Sequence, residues 1–322
     1  MKKIAILFDN NPMNKKSGIQ VHCENLAELL NETEMFSASL CNDFEYFPIR
    51  FFRKSIYKPK SIEKFISDIA PDYINVHGFM SMLPILVISI ARKKRIPVIY
   101  TPCMHPFYTL KHPVIGKISF LLLLKPILKY FSKIVVINSE EYRFFIKYNQ
   151  NCCVISPWIN KSYLPRNKNK HKLNKLLFVG RNEPNKNLSF LYNLPRNRFT
   201  VNCATDKKPN RDDFVFHANI NDEELEFLYD SVSLVIIPSC YESFSFVALE
   251  ALSHGTPILI SNRVRIADHL NGVSGFTIFQ YNDITDFQNK LEIALRTVVD
   301  VNKIDTIFSK KRAVECYKKL FH

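Results

Sequence analysis

Glycine is scarce in this chain, with 7 among 322 residues. That excludes collagen-like and glycine-rich linker architectures. No C-x-x-C occurs among the 8 cysteines, and most of them lie inside apolar runs. Such cysteines behave as small buried hydrophobes rather than as a disulfide framework. No stretch offers the roughly 20 apolar residues of a membrane-spanning helix. Tyr73–Ala91 comes nearest, but Asn75, His77, Gly78 and Pro84 interrupt it; Ile115–Phe131 is interrupted by Lys117, Lys125 and Lys129. The opening MKKIAILFDN starts like a secretory leader, yet Asp9 ends its apolar run well short of the roughly 7–15 residues such a core needs. These absences predict a reduced, cytoplasmic protein.

Positive charge is plentiful. Lys and Arg number 44 against 30 Asp and Glu, a formal net charge of +14. An anionic partner is expected: nucleic acid, a membrane surface or a phosphorylated substrate. Residues 1–160 carry 21 Lys+Arg against 12 Asp+Glu, and residues 161–322 carry 23 against 18, so the first half is the more basic. Hydrophobic residues at 47% and charged residues at 23% describe an ordinary globular chain. At roughly 150 residues per domain the length suggests two domains, each able to bury a full core.

Short β-branched runs alternate with helical patterns. Strands are expected at Lys3–Phe8, Tyr73–Val76, Val98–Thr101, Ile134–Ile137 and Cys153–Ile155, with helices near Ile19–Asn31, Ser61–Ile69, Leu83–Lys94, Ile115–Phe131 and Ser139–Tyr148. Near-continuous apolar strands alternating with helices read as βαβ units around a parallel sheet covered on both faces. A polar, basic segment at 161–174 then reads as a linker. Beyond it the alternation restarts. Strands fit Lys175–Val179, Phe199–Cys203, Val215–Ala218, Leu234–Pro238, Pro257–Ile260 and Gly275–Phe279, and helices fit Asn187–Leu194, Asp222–Ser231, Ser245–His254, Ile284–Val299 and Ser309–Phe321. The expectation is an α/β chain of two similar domains, with ligand sites at the carboxyl ends of the strands.

Five places carry chemistry. In Val235–Asn262, VIIPSCYESFSFVALEALSHGTPILISN, a strand, a polar loop and a helix follow one another. Glu242 precedes the helix and Glu250 lies inside it, so a phosphate at the helix N-terminus would be flanked by two carboxylates for hydroxyl groups. A sugar nucleotide has that pattern. In LLFVGRNEPNKNL (176–188) a strand runs into Gly180, and Arg181 and Lys186 converge on a position suited to a diphosphate. Gly18, between the first strand and helix, would let backbone approach a phosphate. His105 follows a strand in YTPCMHPFY, and His77 ends one in INVHG. Taken singly, each has a structural reading: a turn glycine, packed histidines, a solvated basic face. Taken jointly, they are specific.

Those residues resemble a known family. VIIPSCYESFSFVALEALSHGTPILIS is similar to the signature of retaining glycosyltransferases of the family 4 type, with its P-S-x-x-E-x-F core, a second Glu eight positions on, and E-A-x-x-x-G-x-P-V. FVGRNEPNKNL resembles that family's F-V-G-R-x-x-x-x-K-G-h. The Ser-Gly before the first helix, the V-H-G strand end, the T-P-x-x-H loop, VVINSEE and VISPWIN follow in the family's order.

The resemblance implies the GT-B fold: two Rossmann-like domains facing a central cleft, residues 1–160 on the acceptor side, residues 175–304 binding a nucleotide-diphosphate sugar, and a final helix (305–322) crossing back to the first domain. It implies that Arg181 and Lys186 hold the diphosphate, Glu250 the ribose hydroxyls and Glu242 the donor sugar. Ser243, Phe244, Ser245 and Gly18 would line the donor, His105 would lie beside the reacting sugar, and His77 is an acceptor-side candidate. The family's glycines are replaced at three places, by Ser17 before Gly18, by Ser243 and Ser245, and by Asn187. Wherever the backbone needs φ > 0, a side chain is strained.

Sugar transfer needs stabilisation of a departing nucleotide diphosphate. The chain contains no D-x-D triplet; cations and a helix N-terminus in its place imply a metal-free site with no cofactor beyond the donor itself. The reading is therefore a retaining, metal-independent transferase acting on a glycan or lipid-linked acceptor. Two others stay open: a catalytically weak GT-B subunit serving as a binding partner, and a sugar-nucleotide epimerase or hydrolase on the same fold. Cations interleaved with aromatics at Phe44–Lys60, together with the greasy stretch 115–131, make an anionic membrane surface a candidate partner, with the protein peripheral at the inner face. No nucleic-acid-binding motif accompanies the charge.

Overall fold

The computed structural model describes residues 1–9, 18–42, 44, 46–51, 54–79, 81–104, 107, 112–159 and 174–321. His105, Ser17 and all but the last residue of the linker expected at 161–174 lie outside them. The chain divides into two compact units: residues 1–157 with 310–322, and residues 158–309.

In unit 1 the strands are β1 (Lys2–Phe8), β2 (Phe36–Cys41), β3 (Tyr46–Phe51), β4 (Lys54–Tyr57), β5 (Tyr73–His77), β6 (Val98–Thr101), β7 (Lys133–Val136) and β8 (Cys152–Val154). Its helices are α1 (Gly18–Asn31), α2 (Pro59–Ile69), α3 (Leu83–Lys94), α4 (Pro113–Ser119) and α5 (Ser139–Phe145). Six strands form one parallel sheet in the order β2-β1-β5-β6-β7-β8. The antiparallel hairpin β3–β4 stands apart from it. Ala5, Leu7, Ile74, Val76, Val98, Tyr100, Ile134 and Val136 alternate along the strands and fill one core, as period-2 side-chain direction requires.

Unit 2 repeats the plan. Its strands β9 (Lys175–Val179), β10 (Thr200–Ala204), β11 (Val215–His217), β12 (Leu234–Ile237), β13 (Ile258–Ser261) and β14 (Phe276–Phe279) pair in parallel in the order β11-β10-β9-β12-β13-β14. Helices α6 (Asp222–Ser231), α7 (Phe246–Ser253), α8 (Ile284–Leu295) and α9 (Val301–Ile307) follow in sequence. Asn221 opens α6 with a complete capping box to Glu224, which satisfies two otherwise orphaned N–H groups. In each sheet the strand order reverses once, between β1 and β5 and between β9 and β12. At such switch points the loops at the strand ends part and leave a crevice.

The sequence expectation of an α/β chain built on two parallel sheets is met. β2 and the β3–β4 hairpin were not foreseen. The helix expected over Ile115–Phe131 is divided into α4, a wider turn over Phe120–Leu124 and a tighter one over Lys125–Tyr130. Pro126 begins that last turn and has no N–H to continue the ladder. The helix expected at Asn187–Leu194 is a short 3-10 turn, Leu188–Asn193.

A last helix, α10 (Lys310–Leu320), packs within unit 1 beside α1. Phe321 is fully buried against Phe36 and Tyr73, at ring-centroid distances of 5.5 Å each. Its carbonyl accepts from Lys2 Nζ at 2.7 Å, and Lys310 Nζ donates to Glu32 at 2.6 Å. Emptying such an aromatic site costs about 3–5 kcal/mol. Phe321→Ala should therefore destabilise unit 1 by about that amount in urea titration. A loss below roughly 1 kcal/mol would mean that the helix is not an integral part of that core.

Candidate functional site

The two segments that carry most of the sequence signal emerge from neighbouring strands. β9 and β12 pair in parallel, Leu176 opposite Leu234 and Leu177 opposite Val235. Their carboxyl ends therefore lie side by side at the switch point of unit 2. Four contacts stitch the loops together. Asn185 accepts from Cys240 N–H through its carbonyl at 2.7 Å and donates from Nδ2 to the Tyr241 carbonyl at 3.2 Å. Asn187 Nδ2 donates to the Pro238 carbonyl at 3.1 Å. Lys186 Nζ meets Glu242 Oε1 at 2.9 Å.

That last pair is largely shielded, with side chains 24% and 11% exposed. Burial works against ionising Glu242. Together the Lys186 ammonium and the hydrogen bonds from Ser239, Lys186 and Ser245 outweigh it, so the carboxyl titrates below its usual range. Ser239 Oγ donates to the same oxygen at 2.6 Å. The backbone is fixed as well: Glu242 N–H donates to the Arg263 carbonyl at 3.2 Å, and the Glu242 carbonyl accepts from Arg265 N–H at 3.0 Å.

Gly180 turns the chain out of β9 at φ +150°, with the Lys186 stem in ordinary contact range of where a β-carbon would stand, at 3.5 Å. Arg181 follows and pairs with Glu183 at 3.0 Å, both side chains near 40% exposed. A pair so open holds Arg181 weakly and leaves it able to turn to an anion.

Ser245 opens α7 at φ +110°. Its hydroxyl accepts from Ala248 N–H at 3.3 Å and bonds to Glu242. A residue here needs a backbone that glycine adopts freely, and serine returns two hydrogen bonds for the strain. Asn187, at φ +55°, does the same through its amide, and asparagine tolerates the left-handed region. Phe244 is 3% exposed, its ring packed on Phe246, His269 and Phe308. It anchors the loop from below; Ser243 beside it is half-buried.

Glu250 lies in α7 and accepts from Tyr229 Oη of α6 at 2.8 Å. Burial pushes its carboxyl up to about 7; the tyrosine bond opposes this, and the charges of Asp222 and Glu226 add to it. A carboxyl poised between forms is a common mark of a functional site. Tyr229 and Ser239 were not singled out from sequence. Ser239 was visible within the P-S-x-x-E pattern, whereas Tyr229 sits in an ordinary amphipathic helix with no local signal.

In unit 1, His77 ends β5 at the other switch point, opposite Phe8 of β1. It is fully buried with neither ring nitrogen hydrogen-bonded. Burial, and then His22, hold it neutral. His22, one turn beyond Gly18 on α1, lies 5.6 Å from it ring to ring, and burial lowers its pKa to about 4. Gly18 begins α1, and a β-carbon there would meet open space. A further buried acid, Glu141, was overlooked in the sequence. It accepts from Met104 N–H at 2.8 Å and Ile137 N–H at 3.2 Å, tying the segment just before His105 to the start of α5. Among the described residues, no group of three His, Cys, Asp or Glu side chains is placed to hold a metal ion.

The family profile described as Glycosyl transferases group 1 matches residues 195–303. An uncharacterized glycosyltransferase of Methanocaldococcus jannaschii is 48% identical over 48 residues, 15% of this chain and 12% of that protein. The aligned stretches span a third or less of the curated relatives. Among solved structures, sucrose-phosphate synthase of Thermosynechococcus elongatus superposes with a TM-score of 0.75 at 14% identity, covering 100% of this chain and 99% of that one. HepE of Anabaena, solved in complex with UDP-glucose, gives 0.71 at 14% identity and 99% of both chains. These superpositions identify the two-unit architecture as GT-B.

A raised carboxyl pKa means that the folded state loses stability as pH climbs from the unfolded value through about 7. Glu250→Gln removes that loss. The variant should melt higher than the parent chain at pH 8 and close to it at pH 5, in calorimetry. An equal difference at both pH values would place the Glu250 titration elsewhere.

Proposed function

We propose that the chain is a retaining, metal-independent glycosyltransferase that moves a sugar from a nucleotide-diphosphate donor to a glycan or lipid-linked acceptor. The observation that carries this reading is the convergence of Lys186, Glu242 and the α7 N-terminus at the switch point of unit 2. The match of residues 195–303 to a glycosyltransferase family supports it. So does the likeness of fold to HepE, which was solved with UDP-glucose.

The site's own charges pair with one another, Lys186 with Glu242 and Arg181 with Glu183. A donor exchanges these partners. Its diphosphate takes Lys186 and Arg181, aided by the positive end of α7. Glu242 is released to accept from sugar hydroxyls, still held by Ser239 and Ser245. Glu250 accepts from the ribose, a bond that strengthens once its carboxyl is ionised. Backbone N–H groups of Ser243, Phe244 and Ser245 line the phosphates.

In the transfer itself, the bond from the anomeric carbon to the phosphate oxygen breaks, and a bond from that carbon to the acceptor oxygen forms. The acceptor proton leaves towards the departing diphosphate, and the sugar is oxocarbenium-like between the two. Lys186 and Arg181 act where negative charge grows, so their effect is greatest in the transition state. In this reading His105 lies beside the reacting sugar, Gly18 lines the donor, and the buried imidazole of His77 belongs to the acceptor side.

A thermal-shift series with UDP-, GDP-, ADP- and dTDP-sugars should give a saturable rise with one base, unchanged by EDTA. Lys186→Ala should cost about 2–4 kcal/mol of transition-state stabilisation, roughly 30- to 1000-fold in turnover. No shift with any donor from a folded sample, or a rise abolished by EDTA, would count against the reading.

A further inference from the structure

Unit 1 presents a surface that the donor chemistry does not use. Residues 113–130 wind through α4 and the two turns after it. Their inward face is set by Gly116, Phe120, Leu124 and Leu128, four apart and buried. The outward face of a solvated helix is polar; here it is apolar. Val114 is 68% exposed, Ile118 50%, Leu121 51% and Leu122 69%. Ile115 and Leu123 add smaller shares of the same patch.

Charge along this part of the chain has one sign. From Tyr73 to Ser139 the chain contains nine Lys or Arg and no Asp or Glu. Lys117, Lys125 and Lys129 stand exposed among the apolar side chains. Tyr130, 41% exposed, carries the Arg92 guanidinium 4.0 Å from its ring centroid and Lys129 Nζ at 5.1 Å. An exposed apolar row, flanked by unopposed cations and a tyrosine with a polar tip, matches the boundary between lipid headgroups and acyl chains. Among the described residues no helix is long and apolar enough to cross a membrane.

We propose that this face docks on an anionic phospholipid surface. Val114, Ile118, Leu121 and Leu122 enter the headgroup region, while Lys117, Lys125 and Lys129 meet lipid phosphates. The same face of a second copy is a poorer occupant, because it would set these lysines against one another. The proposal is independent of the donor site, which lies in the other unit, and it stands or falls without any measurement of sugar transfer.

The test is co-sedimentation of the full chain with vesicles of phosphatidylcholine alone, or of phosphatidylcholine mixed with phosphatidylglycerol. Binding should require the anionic lipid and weaken with salt. Ile118→Ser with Leu122→Ser removes exposed groups only; it should leave the melting curve unchanged and lower partition on the order of tenfold or more. Lys117→Gln, Lys125→Gln and Lys129→Gln together should lower it roughly a hundredfold, at about fivefold per cation. Equal binding to neutral and anionic vesicles, or parental partition in both variants, overturns the proposal. So does a dimer in light scattering that dissociates with the serine pair while vesicles are ignored; that result would assign the face to a second copy.

Discussion

Lys186 and Glu242 meet because two strands run parallel in one register. Pairing of β9 with β12 places a basic loop and an acidic one at the same edge of the sheet, although 56 residues separate them in sequence. Shielding then raises the stakes. A lone buried carboxylate or ammonium is expensive, so each holds the other in place. The asparagines on either side of the lysine lock the same two loops together through backbone carbonyls. The Lys186–Glu242 pair is thus satisfied from within the chain.

Ser245 and Asn187 show what a side chain can return where the backbone turns through positive φ. A backbone that turns through positive φ is usually left to glycine. At Ser245 and Asn187 the turn persists with a side chain, and each side chain is spent on the site: the hydroxyl on Glu242 and the α7 cap, the amide on the Pro238 carbonyl. Torsional cost and hydrogen-bond gain are of similar size. The pattern is an exchange of backbone freedom for a more tightly fixed carboxylate.

Much of this could be read from the chain alone. Apolar runs separated by helical periods are a physical consequence of a parallel sheet covered on both faces, so the α/β expectation and most strands followed. Glu250 stood out because a carboxylate on the inner face of an apolar helix is costly to bury without a partner; Glu242, Arg181 and Lys186 stood out through their joint spacing and the family resemblance. What stayed hidden depended on contacts between distant segments. Nothing local marks Tyr229 as the partner of Glu250, or Glu141 as the tie that holds the segment before His105. β2 was missed because its sequence, FSASLC, is half-buried and small at the positions where longer strands announce themselves. The helix expected at 115–131 was broken by Pro126, a signal present in the sequence but outweighed by the surrounding leucines.

Unit 1 is assembled from two stretches of chain separated by the whole of unit 2. During synthesis its sheet emerges first, but the groove over Phe36 and Tyr73 stays open until residues 310–322 have been made. Unit 2 is contiguous, so it can complete its core before the older unit is closed. The part of the protein translated first is therefore the last to reach its final stability, and its exposed aromatics must be kept from aggregating through that interval.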